Sequence, residues 1–261
     1  MTDTGLKGKV AIVTGAGALD YDIGNGRAAA ILLAREGAHV ALVDIDGAAA
    51  ERTRSMIESE RGSCAVFPCD VSDPKACEQT VAAVAARWHS IDVLVNNVGV
   101  GGPPGTAIDV DLDAWDRGLR INLTSLMLMS RFALPHMIAQ RAGSIVNIAS
   151  VAGLRGGHPH LLYATTKGAI VQMTRAMATS HGPDGIRVNC VAPGMVYTPM
   201  VYGRGMSAEL RDKRRRRSLL QVEGTGWDVG NAVVYLAGNQ ARWVTGVILP
   251  VDAGTTAGSL P

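Results

Sequence analysis

The chain has 261 residues, 47% hydrophobic and 18% charged, and a net charge of +2 at neutral pH, which allows one large domain or two small ones. So small a net charge excludes recruitment of the whole protein to nucleic acid or membrane by electrostatics. Met1 to Lys9 lacks the apolar stretch of a signal peptide, and no apolar run approaches the ~18 residues of a membrane span, so a cytoplasmic protein is expected.

From the N-terminus, short β-branched runs alternate with longer Ala-rich stretches. Strands are predicted at Val10–Thr14, Val40–Asp44, Ala65–Pro68, Val93–Asn96, Ile145–Ile148, Val188–Val191 and Val247–Val251. Helices are predicted near Gly26–Glu36, Ala48–Glu60, Pro74–Trp88, Ala114–Gln140, Tyr163–His181 and Trp227–Gly238. Near-continuous apolar strands mean burial on both faces. The expected fold is therefore α/β: a single Rossmann-type doubly wound parallel sheet of about seven strands, with helices on both faces. Nothing divides residues 1–261 into separate domains. One long non-periodic stretch, about 192–225, reads as a substrate loop. Aromatics are scarce, so Ala, Val, Ile, Leu and Met must build the core. Cys64, Cys69, Cys77 and Cys190 have no paired spacing, and neither a disulfide framework nor a metal site is expected.

In such a sheet ligands bind beyond the carboxyl ends of the strands. After the first strand, Gly15, Gly17, Gly24 and Gly26 form a glycine-rich turn into a helix, where backbone N–H groups and a positive dipole end suit a pyrophosphate. A plain strand-to-helix turn is the alternative for this segment alone. Asp44 ends the second strand, followed by Ile45-Asp46 with no adjacent base. That suits the ribose hydroxyls of NAD and repels the 2′-phosphate of NADP; a helix-capping role fits the same residue. Asp70-Val71 after the third strand offers an adenine contact, and Asn96-Asn97-Val98-Gly99 after the fourth brings backbone to the cofactor ribose. Tyr163 and Lys167 lie four apart, on one face of a helix. A phenol near its ordinary pKa of about 10 is a poor base at neutral pH, and a nearby cation lowers it. Ser150, at the end of the fifth strand, could hold the substrate oxygen beside Tyr163.

With these residues in view the chain resembles the short-chain dehydrogenase/reductase family over essentially its whole length. The motifs are Thr14-Gly15…Gly24-x-Gly26, Asp70-Val71, Asn96-Asn97-x-Gly99, Asn122, Ser150, Tyr163-x-x-x-Lys167, Asn189 and Pro193-Gly194. The resemblance implies that Tyr163 is the general acid/base. Lys167 would hold the nicotinamide ribose and lower the Tyr163 pKa. Ser150 would orient the substrate oxygen, and Asn122 would support a water-mediated proton relay to Lys167. Pro193, Gly194, Val196 and Thr198 would flank the nicotinamide. It also implies a homotetramer packed through the helices near Ala114–Gln140 and Tyr163–His181.

The chain departs from the family in two places. The phosphate loop carries five extra residues within Ala16–Ile23, including Asp20 and Asp22, whose charges would repel a pyrophosphate and are expected to point outward or cap the helix. Val98 stands where Ala is usual.

Three stretches should set substrate choice: Val100–Thr106, Val151–Leu162 with Arg155, His158 and His160, and Met195–Val222 with Met195, Tyr197 and Met200. The basic run Lys213–Arg217 is read as a solvated helix pairing with acidic neighbours, in preference to an anion site; nucleic acid is not expected. The functional expectation is an NAD(H)-dependent oxidoreductase acting on a small-molecule secondary alcohol or ketone. Two alternatives stay open, an enoyl reductase and a non-catalytic NAD-sensing binding protein.

Overall fold

The alternation along each strand feeds two different cores. In β1 (Val10–Thr14), Val10 and Ile12 pack on one face of the sheet while Ala11 and Val13 pack on the other. In β2 (His39–Asp44), Ala41 and Val43 join the first set, and Val40 and Leu42 the second. Both faces are covered, so polar alternation is lost from the sequence. Burying a side chain such as Ile12 stabilises by roughly 1.5–3 kcal/mol.

The computed structural model describes residues 3–203 and 205–259. Five further strands, β3 (Ser63–Pro68), β4 (Val93–Asn96), β5 (Gly143–Ile148), β6 (Ile186–Pro193) and β7 (Ile248–Val251), complete a seven-stranded sheet. Its order is β3-β2-β1-β4-β5-β6-β7, and every neighbouring pair is parallel. Helices α1 (Asn25–Arg35), α2 (Gly47–Ser59) and α9 (Gly226–Ala237) cover one face. Helices α3 (Pro74–Trp88), α5 (Ser125–Gln140) and the end of α6 (Leu161–His181) contribute to the other. The chain reverses its direction of travel across the sheet between β1 and β4, which makes the crevice beyond their carboxyl ends the ligand position for this topology.

Two elements differ from the expected pattern. The helix read over Ala114–Gln140 is interrupted: α4 (Leu112–Leu119) passes into a π-helical turn at Arg120–Thr124 before α5 begins. Hydrophobic periodicity does not register one widened turn. The stretch 192–225 contains the short helices α7 (Pro199–Tyr202) and α8 (Ala208–Arg215). Helix α8 has no buried residue, which explains its lack of an apolar stripe; Ser207 caps its start. Arg204, counted within the predicted substrate loop, lies outside the described residues, as do Met1 and Thr2 at the start. Among the described residues no helix is long and apolar enough to cross a membrane, and no His/Cys/Asp/Glu group could hold a metal ion.

Candidate active site

The turn between β1 and α1 is built around two glycines. Gly15 sits at φ +64°, in the left-handed region, and a Cβ on Gly26 would lie 2.0 Å from the Gly15 carbonyl oxygen. The first turn of α1 can therefore close on the end of β1 only without a side chain at Gly26. Gly24, the N-cap, brings no side-chain cap, so the first N–H groups of α1 are available to an anion. Asn97 secures the loop from β4, its amide donating to the Thr14 and Gly15 carbonyls at 3.1 Å each.

The inserted residues are ordered by a group that sequence reasoning missed. Arg27 is fully buried, and its five N–H donors are all used. They reach the carbonyls of Asp20 (2.8 Å), Asp22 (2.6 Å), Ala18 (3.1 Å) and Ala49 (3.2 Å), and Thr53 Oγ1 (2.9 Å). Thr53 in turn donates to the Ala16 carbonyl at 2.8 Å. Asp20 is exposed, as expected, but neither aspartate caps α1 by its side chain. Asp22 instead faces the substrate segment: burial and then the neighbouring Asp22 push the Tyr202 phenol up to about 12.

Asp44 has a local duty as well. One carboxylate oxygen accepts from Gly17 N (2.8 Å) and the other from Asp46 N (3.0 Å), and each keeps a further lone pair. The N-cap of α2 is Asp46 rather than Asp44, which removes the capping alternative. Asp70 is exposed and accepts from Ser72 through Oδ1, leaving Oδ2 free, and Val71 is buried beside it.

Beyond β4 and β5 the reacting side converges. Ser150 follows β5, buried, accepting from Ala152 N at 3.2 Å and keeping its own proton to donate. Tyr163 and Lys167 face the same side of α6, with Lys167 Nζ 5.6 Å from the Tyr163 ring centroid. Nζ also donates to the Ile148 carbonyl at 2.9 Å. Burial pushes the Lys167 ammonium down to about 8 and pushes the Tyr163 phenol up, with Ser150 opposing. For the chain by itself, the Tyr163 direction is opposite to that expected from Lys167. Desolvation outweighs the hydrogen bond from Ser150.

Gly99 lies close to Lys167, where a Cβ would meet Nζ at 3.3 Å. Asn122 sits in the π-helical turn, its amide bonded both ways to the Val100 backbone (2.7 and 2.8 Å), with Thr166 Oγ1 at 3.3 Å. That side chain fastens the loop after β4, and no direct bond joins it to Lys167. Asn189 is likewise occupied, holding Val244 O and Val247 N ahead of β7. Pro193 ends β6, Gly194 packs where a Cβ would strike Asp252, and Val196 pairs with Gly224. Thr198 is buried, and its hydroxyl makes no cap bond to α7.

The basic run lies along and just beyond α8. Arg211 pairs with Glu223 (Nε–Oε2 2.6 Å) and covers the Tyr197 ring at 3.9 Å. Arg215 and Arg216 share Asp212, each at 2.7 Å. Arg214, half-buried, reaches only the Val196 carbonyl at 3.4 Å. Within the run Lys213–Arg217, ion pairing engages Arg215 and Arg216. Of the two loop histidines, His158 stacks on Tyr163, with ring centroids 4.6 Å apart.

One consequence can be measured without substrate. A lysine with its folded pKa depressed to about 8 favours unfolding while charged. Its contribution should therefore rise with pH from about 8 towards its unfolded value near 10.4, by up to roughly 3 kcal/mol. In urea unfolding at matched protein concentration, Lys167→Met should remove that part of the pH dependence. Identical pH slopes for the two proteins would refute the assignment.

A family model described as "Enoyl-(Acyl carrier protein) reductase" matches residues 20–256. The 2-(S)-hydroxypropyl-CoM dehydrogenase 3 of Xanthobacter autotrophicus is 39% identical over 97% of this chain and 98% of its own. The meso-2,3-butanediol dehydrogenase of Serratia marcescens is 38% identical over 95% of each. A crystal structure of a short-chain dehydrogenase/reductase from Burkholderia xenovorans superposes with a TM-score of 0.92, at 41% identity, covering 98% of this chain and 99% of that one.

Proposed function

The chain belongs to the short-chain dehydrogenase/reductase family, and from that premise we propose that it is an NAD(H)-dependent dehydrogenase interconverting secondary alcohols and ketones. The observation that carries this reading is the convergence of Ser150, Tyr163 and Lys167 beyond β5. Both relatives are dehydrogenases, one of hydroxypropyl-CoM and one of meso-2,3-butanediol, which supports an alcohol substrate. The enoyl description of the matching family model is weighed against the close spacing of Tyr163 and Lys167 on one helix, which favours carbonyl chemistry.

The residues present fit a dinucleotide. Gly24 puts no side chain over the first N–H groups of α1, and a Cβ at Gly26 would strike the Gly15 carbonyl at 2.0 Å, so backbone donors stand open to a diphosphate. Gly15, Gly24 and Gly26 would take the pyrophosphate; Asp44 the adenosine ribose; Asp70 and Val71 the adenine; Asn97 and Gly99 the region between. Pro193, Gly194, Val196 and Thr198 would border the nicotinamide. NAD rather than NADP follows from the Asp44 carboxylate at the ribose position, where a 2′-phosphate would be repelled. When bound, the nicotinamide accepts or supplies the hydride.

Tyr163 Oη takes the carbinol proton in oxidation and returns it in reduction. Ser150 Oγ, its lone pair engaged by Ala152 N, donates to the substrate oxygen and holds it there. Lys167 is predominantly charged at neutral pH, and its remaining N–H groups would hold the ribose hydroxyls while its charge favours the phenolate. Asn122 would position the loop after β4, with its proton-relay role resting on the family resemblance. The same reading supports a cytoplasmic homotetramer, and Met127 and Ile138, exposed on α5, are apolar surface for such packing.

The test is absorbance at 340 nm with NAD⁺ and NADP⁺ against a panel of secondary alcohols, and with the reduced cofactors against the matching ketones. Turnover with NAD(H) strongly preferred is expected. Activity confined to an enoyl thioester would overturn the reading.

A further inference from the structure

Beside Tyr163 stands a polar side chain whose outward nitrogen has no protein partner. The His158 ring lies against the Tyr163 ring at 4.6 Å between centroids and 28° between planes. Its Nδ1 is 3.2 Å from the His160 backbone N–H, two residues on, in the manner of an Asx turn. The His160 carbonyl, 3.3 Å from the same nitrogen, already accepts from Ala164 N. Satisfying the His160 N–H therefore assigns Nδ1 as acceptor and puts the ring proton on Nε2. No group among the described residues meets Nε2.

The segment carrying this ring is held from a second side. His160 Nδ1 lies 3.2 Å from the Gly101 carbonyl and 3.3 Å from that of Gly102, so it donates to the loop after β4 and clips the two loops together. Partial desolvation against the Tyr163 ring, with His160 nearby, disfavours the charged form of His158.

We propose that His158 is a specificity-determining residue. Its Nε2–H donates to a second substrate oxygen on the carbon next to the reacting carbinol, so vicinally oxygenated secondary alcohols (diols and α-hydroxy ketones) are the preferred class. The proposal rests on the dehydrogenase reading above. With the two rings 4.6 Å apart between centroids, a molecule carrying oxygens on adjacent carbons is of a size to hydrogen-bond to both Tyr163 Oη and His158 Nε2. Because His158 is solvent-exposed, its donor is hydrated when a simple alcohol binds. The discrimination should therefore be that of one neutral hydrogen bond, about 10-fold, and not the far larger factor of a sealed polar pocket.

Two variants separate a donor from a mere wall. His158→Asn places its amide oxygen where Nδ1 sits, keeping the acceptor for His160 N and losing Nε2. His158→Gln reaches to the Nε2 position with an N–H donor and loses the turn. With NAD⁺ we would measure kcat/KM for butane-2,3-diol and for butan-2-ol, which share a carbon skeleton. The expected result is a diol-to-alcohol ratio that falls about 10-fold in His158→Asn and is largely kept in His158→Gln. Parallel loss on both substrates in both variants, or an unchanged ratio in His158→Asn, would overturn the proposal and leave the dehydrogenase reading standing. No oxidation of any secondary alcohol by the unaltered protein would instead overturn that reading, and this proposal with it.

Discussion

Tyr163→Phe should lower kcat/KM by about 10³-fold while changing cofactor affinity only slightly. The phenyl ring preserves the stack with His158 and the packing on α6, so only the Oη proton carrier is lost. Ser150 can still donate to the substrate oxygen, and Lys167 keeps its bond to the Ile148 carbonyl. Neither can replace the phenol: a serine hydroxyl is far too weakly acidic, and the Lys167 ammonium is engaged by the Ile148 carbonyl and, in this reading, by the ribose. The measurement pairs initial rates at 340 nm with a fluorescence titration of NADH. Turnover near that of the unaltered protein would remove Tyr163 from the chemistry.

Arg27→Met should destabilise the fold by about 3–5 kcal/mol, because buried acceptors left without a donor cost about 1–3 kcal/mol each and several lose theirs together. Four backbone carbonyls and Thr53 Oγ1 accept from this one guanidinium. A thioether of similar length fills much of the space and satisfies none of them. Arg27→Lys would recover little, because an ammonium has three donors and lacks the planar fork. Burial already disfavours the charge of Arg27, with Arg52 adding to that effect, while Asp22 and Asp44 act the other way. Urea unfolding at fixed protein concentration would read the change, since an oligomer's apparent stability depends on concentration. A loss under about 1 kcal/mol would mean that the loop's order comes from elsewhere.

The strands were legible because their centres are apolar, and their starts were not. β2 begins at His39, β3 at Ser63, β5 at Gly143 and β6 at Ile186, one or two residues before the predicted runs, where His39, Ser63, Ser144 and Arg187 interrupt the apolar pattern. Ser150, Tyr163 and Lys167 could be read because a strand end and one helical turn bring them together through local geometry. The roles of Arg27 and His158 could not, since each depends on contacts made in the folded loops. An arginine two residues into a helix carries no sign that it will bind the carbonyls of the preceding insertion. One signal was present: an insertion bearing two aspartates, beside a helix with an arginine in its first turn.

The strand order has a consequence for how such a protein can change. β1, β2 and β3 carry Gly15, Asp44 and Asp70, whereas Ser150, Tyr163 and Pro193 belong to β5, β6 and the helix between them. The residues proposed for the adenosine side and the proposed proton carrier are thus encoded in consecutive, non-overlapping segments, joined in the sheet by the β1–β4 pairing and packed together through α1 on α9 and α3 on α5. A crossover in α3 between two related genes would exchange one set whole and leave the other untouched. Cofactor preference and substrate range can therefore be inherited from different parents.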